Sequence, residues 1–187
     1  KDWQAMPLVP GVEASGLKPL PQDVTNPADR RERIGQWIPA DSAAVEKALA
    51  NAVASQDGWD RLPAASRARI LEHAADLMEA RMPEFLALCV KEAGKSLSAS
   101  VAEVREAVDF CRYYAVQGRK LFAHPEKLPG PTGESNELQL HGRGVFVCIS
   151  PWNFPLAIFA GQVAAALVAG NTVIAKPAEQ TNLVAYR

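Results

Sequence analysis

Apolar residues recur at helical spacing through the middle of the chain and form two short continuous runs near its end. Val45, Leu49, Ala52 and Val53 share one face of a helix that Asp41 or Ser42 can cap and that Gln56-Asp57-Gly58 is expected to break. Ile70, Leu71, Ala74, Leu77 and Met78 make the stripe of a second helix, with Ser66 as its cap. Pro83 suits the first turn of a third, which Gly94 ends. The longest predicted helix covers about 98–122, with Val101, Val104, Val108, Cys111 and Ala115 along its stripe. Residues 1–40 are rich in proline and polar side chains, keep no period, and predict an irregular arm with short extended pieces.

Beyond residue 123 the pattern changes. Residues 124–135 hold three prolines and two glycines and read as loop, and residues 137–140 alternate as a half-exposed strand does. Residues 145–149 are continuously apolar, which suits a parallel strand covered on both faces. Pro155 opens a helix that Ala169-Gly170 closes, and Thr172-Val173-Ile174-Ala175 is the next strand. Strand, helix and strand within about 30 residues make a βαβ unit, right-handed on general grounds. One such unit cannot cover its own sheet edge, so more chain or a partner is expected beyond Arg187. A chain that opens on Lys1 is likewise read as an excerpt at its start.

The 187 residues are 48% hydrophobic and 22% charged, with a net charge of −1. That composition suits a globular domain with a real core and gives no overall attraction to nucleic acid or to an anionic membrane. The three cysteines, Cys89, Cys111 and Cys148, are far apart in apolar surroundings, so neither a disulfide framework nor a metal site is implied. A cytoplasmic setting is the default expectation. A buried cysteine in such surroundings has a raised pKa and is inert, so none of the three is advanced as a nucleophile.

Candidate chemistry gathers at the strand ends. Gly142-Arg143-Gly144 precedes its strand and lacks a third glycine, so it reads as a turn and not as a dinucleotide fingerprint. Gly94-Lys95-Ser96 lacks the first glycine of a phosphate loop. Ser150-Pro151-Trp152-Asn153-Phe154-Pro155 lies where a buried strand empties into a helix, and open α/β sheets bind ligands at that edge. There the Asn153 amide can donate to a developing oxyanion, although an Asx-turn would also account for it. Lys176 and Glu179 follow the adjacent strand and can hydrogen-bond a diol such as a ribose, with the carboxylate opposing a 2′-phosphate; a surface ion pair is the plainer reading. Glu103, Glu106 and Asp109 lie on the long helix, where a carboxylate beside a pocket could bind a substrate ammonium, and where a solvated face is again the plainer reading. His73, His124 and His141 are scattered and read as structural or exposed.

Ile149-Ser150-Pro151-Trp152-Asn153-Phe154-Pro155, Ala169-Gly170-Asn171-Thr172-Val173 and Lys176-Pro177-Ala178-Glu179-Gln180-Thr181 together resemble the NAD-dependent aldehyde dehydrogenase superfamily. Lys91-Glu92-Ala93-Gly94-Lys95-Ser96, the string 103–110, Arg112-Tyr113-Tyr114-Ala115 and residues 128–136 narrow the likeness to the glutamate semialdehyde dehydrogenase module of bacterial proline utilization proteins. The resemblance implies an α/β fold, with a helical N-terminal layer and the first part of a Rossmann-like parallel sheet. It implies an arm over 1–40, the helical part of an NAD-binding domain over 41–123, a loop and oligomerisation-arm strand over 124–142, and the start of the Rossmann-like sheet over 143–187. That domain would be incomplete and the catalytic domain absent.

The implied reaction converts glutamate semialdehyde, in equilibrium with pyrroline-5-carboxylate, to glutamate. A cysteine thiolate attacks the aldehyde, hydride passes to NAD, and water releases the acid. By the same resemblance Asn153 is the oxyanion donor. Ile149, Ser150, Pro151 and Trp152 line the nicotinamide ribose and pyrophosphate, Lys176 and Glu179 take the adenosine ribose, Phe154 walls the substrate tunnel, and Glu106 meets the substrate's α-ammonium. A homodimer is implied, with a small aldehyde as the other partner. In the longer proteins of this kind a proline dehydrogenase with FAD would precede this segment, and nothing here is expected to bind FAD. The segments that would carry the nucleophile and the general base do not occur, and Asn182 stands where a proline is usual. A dehydrogenase of another semialdehyde, and a non-catalytic binding module, are the alternatives.

Overall fold

Residues 3–37, expected to be an irregular arm, hold a three-stranded sheet in the computed structural model, which describes residues 2–13, 16 and 18–187. Its strands are β1 (Trp3–Ala5), β2 (Gln22–Asn26) and β3 (Asp29–Trp37), in the order β1-β3-β2. β1 runs parallel to β3 and β2 antiparallel, with an irregular register after Val24. No apolar alternation announces β3, because Arg30-Arg31-Glu32-Arg33 fills its first half. Polar cross-strand links join the strands instead: Arg33 lies 3.2 Å from Asp2 and 3.5 Å from Asp23, and the Gln36 amide donates to Asp23 (2.8 Å). Trp3, Val24 and Ile34 face inward to a core shared with Phe85, Leu88, Val104 and Leu183.

Four helices follow: α1 (Ser42–Arg61), α2 (Ala64–Ala80), α3 (Met82–Lys91) and α4 (Leu97–Phe122). Asp41 caps α1 by accepting from the Ala44 amide (2.8 Å). The expected break at Gln56-Asp57-Gly58 does not occur. A glycine inside a helix costs only about 1 kcal/mol, and the last turns of α1 offset it by docking on the βαβ unit. Gln56 donates to Gly170 O and accepts from the Thr172 amide (both 2.9 Å), and Trp59 donates to Leu167 O (2.9 Å). That docking also sets the phase of α1: Ala44 and Ala52 are buried, while Val45, Leu49 and Val53 are exposed.

α2 begins before Ser66, directly after Pro63, with no side-chain cap. Its buried stripe is Ala68, Leu71 and Ala75, and Ile70 and Leu77 face out. The buried Arg67 donates to Val168 O (3.0 Å) and Asp60 O (2.9 Å), tying down the ends of two helices at once. Pro83 sits in the first turn of α3, and Ser96 caps α4. Val104, Val108, Cys111 and Ala115 are buried along α4 as their spacing predicts.

β4 (Glu126–Leu128) and β5 (Asn136–Leu138) form an antiparallel hairpin. The first half of it was expected to be loop, because Glu126-Lys127-Leu128 has no buried residue and so no buried face to reveal it. β6 (Val145–Ile149), α5 (Ala157–Val168) and β7 (Thr172–Lys176) make the βαβ unit, with β6 and β7 parallel. A 3-10 turn over Glu179–Thr181 leads into α6 (Asn182–Tyr186). α5 packs closely on α4: a Cβ on Gly118 would stand 2.2 Å from Val168, and one on Gly161 2.9 Å from Phe110. β6 was expected to be covered on both faces. Phe146, Val147 and Ile149 are instead exposed, because the sheet has only two strands among the described residues. No described helix is long and apolar enough to cross a membrane.

Candidate functional site

Register places the candidate residues on one edge. Val145 pairs with Thr172 and Ile149 with Lys176, so the carboxyl ends of β6 and β7 lie level. The loop from β6 into α5 and the loop from β7 into the 3-10 turn therefore leave the sheet side by side, on the edge where open α/β sheets take ligands. The opposite edge is fixed by Gly142-Arg143-Gly144, which bends at Gly144 where a turn was expected. Asn171 Oδ1 accepts from the amides of Arg143 (2.5 Å) and Gly144 (3.0 Å). Gly142 meets Gly170 so closely that a Cβ there would stand 2.1 Å from the Gly170 carbonyl oxygen.

The β6 loop is ordered by its own chain. The Ser150 amide extends the ladder to Lys176 O (3.1 Å), and its buried hydroxyl faces Gln162 Oε1 (3.1 Å), which leaves the hydroxyl occupied within the protein. Pro151 is half-buried and Pro155 fully buried, while Ile149, Trp152, Asn153 and Phe154 are exposed. Lys176 is exposed and donates to Pro177 O (3.1 Å), and the exposed Glu179 accepts from Gln180 (3.5 Å), so each bonds the residue next to it in the chain. These two heads can meet a pair of hydroxyls.

The helix N-terminus beside the loop does not invite a phosphate. Glu103 Oε1 accepts from the amides of Leu156 (3.0 Å) and Ala157 (2.9 Å), so the first donors of α5 already hold a carboxylate. Glu103 is buried at 1% exposure, which corrects the reading of its position as a solvated helix face. Its other oxygen accepts from Lys95 Nζ (2.5 Å), and Lys95 also donates to Asn153 O (2.9 Å). Glu106, one turn further along α4, is exposed and lines an open hollow with Ala102, Arg105, Asp109, Phe110 and Tyr113. Glu103 thus links α4 to the Asn153 loop. Sequence reasoning missed Lys95 and Glu103 as supports. The signal was present for Glu103, whose spacing to Ser100, Val104 and Ala107 sets it on the buried face.

A second buried carboxylate holds the element after the β7 loop. Glu92 accepts from the amides of Leu183 (2.7 Å) and Val184 (2.8 Å) at the start of α6. Burial pushes its carboxyl up from 4.5 to about 7, against the pull of those two amides. The native state then binds a proton more tightly than the unfolded chain. The contribution of Glu92 to stability is largest below about pH 4.5, falls as the pH rises towards 7, and is level above it. Glu92→Gln is expected to remove a slope on the order of 3 kcal/mol across that window. Urea titrations of both proteins from acid to neutral pH measure it, and parallel curves would refute it.

The cysteines behave as their settings predict. All three are free and buried. Burial pushes the Cys89 thiol up to about 12 and the Cys111 thiol to about 11, and it raises Cys148 as well.

A family model described as "Aldehyde dehydrogenase family" matches residues 14–187. The bifunctional protein PutA of Klebsiella aerogenes is 48% identical over 183 residues, which is 98% of this chain and 13% of that protein. The 1-pyrroline-5-carboxylate dehydrogenase of Anoxybacillus flavithermus is 44% identical over 164 residues, 87% of this chain and 31% of that protein. Among solved structures, the 1-pyrroline-5-carboxylate dehydrogenase from Thermus with bound NAD superposes with a TM-score of 0.89 at 37% identity, covering 99% of this chain and 36% of that one. The chain thus spans between about one eighth and one third of these proteins.

Proposed function

The chain belongs to the aldehyde dehydrogenase family, and we propose that it is part of an NAD-dependent enzyme that oxidises L-glutamate γ-semialdehyde, derived from pyrroline-5-carboxylate, to L-glutamate in proline catabolism. One observation carries the reading: the Asn153 loop and the Lys176–Glu179 loop leave adjacent parallel strands at the same level, Ile149 opposite Lys176. The names of the relatives support the substrate, and the NAD in the Thermus structure supports the cofactor.

The residues present fit NAD. Lys176 and Glu179 would hydrogen-bond the adenosine ribose, and Glu179 would repel a 2′-phosphate. Ile149 and Trp152 offer exposed apolar surface, and with Ser150 and Pro151 would shape the path of the nicotinamide ribose and pyrophosphate. NAD, when bound, accepts the hydride. Asn153 donates its side-chain amide to the substrate's carbonyl oxygen as negative charge develops there. Phe154 supplies an apolar wall, and Glu106 receives the α-ammonium. The reading assigns the attacking thiolate to a part of the protein outside these residues, since the cysteines here are buried with raised pKa. A cytoplasmic setting suits those free thiols. The β4–β5 hairpin, with Leu128, Leu138 and Leu140 exposed, is the element we assign to a homodimer contact.

The test uses the full-length protein and follows NADH formation with glutamate semialdehyde and with an aldehyde that lacks the ammonium group. Glu106→Ala is expected to lower kcat/KM for the semialdehyde by roughly 10- to 150-fold, the worth of a hydrogen bond to a charged group, and to leave the simple aldehyde unaffected. No NADH from the semialdehyde would refute the substrate. Equal effects on both aldehydes would refute the role of Glu106, and activity untouched by the change would favour another semialdehyde.

A further inference from the structure

One ammonium under the Asn153 loop makes three contacts. Lys95 Nζ donates to Glu103 Oε2 (2.5 Å) and to the carbonyl oxygen of Asn153 (2.9 Å), and it lies 4.3 Å from the centre of the Phe154 ring. The Lys95 side chain is 13% exposed and that of Glu103 is 0% exposed. Gly94 aims it: at φ +66° it reverses the chain after α3, and the Lys95 amide closes the turn on Cys89 O (3.1 Å). Glu103 meanwhile holds the amides of Leu156 and Ala157 with its other oxygen. One ion pair, with both partners largely out of water, therefore grips the loop at its middle and at its end.

We propose that Lys95 is a positioning residue for the carboxamide of Asn153. By bonding the Asn153 carbonyl it fixes the peptide plane at that residue, and so the direction in which the side chain leaves the backbone. Misplacing a reacting or stabilising group by about 1 Å can cost roughly 100-fold in rate, so the hold has catalytic consequence. Lysine suits the task because it is a compact charge with three donor directions, here spent on a carboxylate, a carbonyl and a ring face. Arginine presents a planar fork and does not reproduce that arrangement. The inference rests on the reading of Asn153 as the oxyanion donor given above.

Three full-length variants test it: K95M, N153A and the two combined. K95M is expected to raise hydrogen exchange of the amides in 152–157 tenfold or more. It is expected to lower kcat by roughly 10- to 100-fold, with KM for NAD within about twofold of wild type. In the N153A background it is expected to lower kcat by less than about twofold further, because the group it positions is gone. Where K95M fails to fold because Glu103 is left buried and unpaired, K95M/E103Q keeps a carbonyl acceptor for the two α5 amides and takes its place. Unchanged exchange, or losses in kcat that multiply in the double variant, would overturn the proposal. A wild-type protein that oxidises no aldehyde would overturn the functional reading instead, and the exchange measurement would still decide whether Lys95 holds the loop.

Discussion

Glu103→Ala is expected to lower the unfolding free energy of its domain by about 3–5 kcal/mol, as breaking a buried ion pair by removing one partner does. The loss has two parts. The amides of Leu156 and Ala157 lose their acceptor at the buried start of α5, and Lys95 loses the carboxylate that accompanies it out of water. Glu103→Gln is expected to lose about half as much, because its carbonyl oxygen still accepts from both amides while its amide nitrogen faces Lys95 donor to donor. Chemical denaturation of the wild type and both variants measures the order. A loss within about 1 kcal/mol for Glu103→Ala would mean that water replaces the carboxylate at no great cost.

Asn153→Ala is expected to lower kcat of the full-length enzyme by roughly 100- to 1,000-fold, about 2.7–4 kcal/mol of transition-state stabilisation. Asn153 is exposed at the mouth of the loop, and its backbone carbonyl, not its side chain, carries the bond to Lys95. The substitution therefore removes the donor and leaves the loop's anchor in place. Stability and KM for NAD are expected to stay near wild type, which separates this variant from Glu103→Ala. A kcat within tenfold of wild type would deny Asn153 the role of principal oxyanion donor.

What could be read from the sequence divides along physical lines. Apolar periodicity located α4, flanking proline and glycine located α3, and continuous apolar runs located α5, β6 and β7, because each has a face or a body that must leave water. It located α1 and α2 but misread their phase and ends, since both bury alanines and turn several larger side chains outward. The pairing of the β1–β3 sheet and the first strand of the β4–β5 hairpin went unseen, because those strands are short, polar or held by charge pairs, whereas the alternation at 137–140 marked the second hairpin strand. At the site, motif spacing located the two loops, and the structure sets them side by side. It did not reveal the buried carboxylates: the phase of α4 marks Glu103 as inward-facing, but what it and Glu92 hold comes from distant parts of the chain. Gly118 and Gly161 were likewise silent in sequence and meaningful only as the room that lets α4 and α5 close.

The core that joins Trp3 and Ile34 to Leu183 and Val184 sets an order of events during synthesis. The first strand is made well before its packing partner on α6. At a ribosomal pace of about 5–20 residues per second, the 180 positions from Trp3 to Leu183 take roughly 9–36 s to emerge. Through that interval the nascent β1–β3 sheet lacks the part of its apolar cover that Leu183 and Val184 supply. The arginines and acids that hid β3 from a hydrophobicity search then serve as gatekeepers, keeping an unfinished edge from recruiting a neighbouring nascent chain.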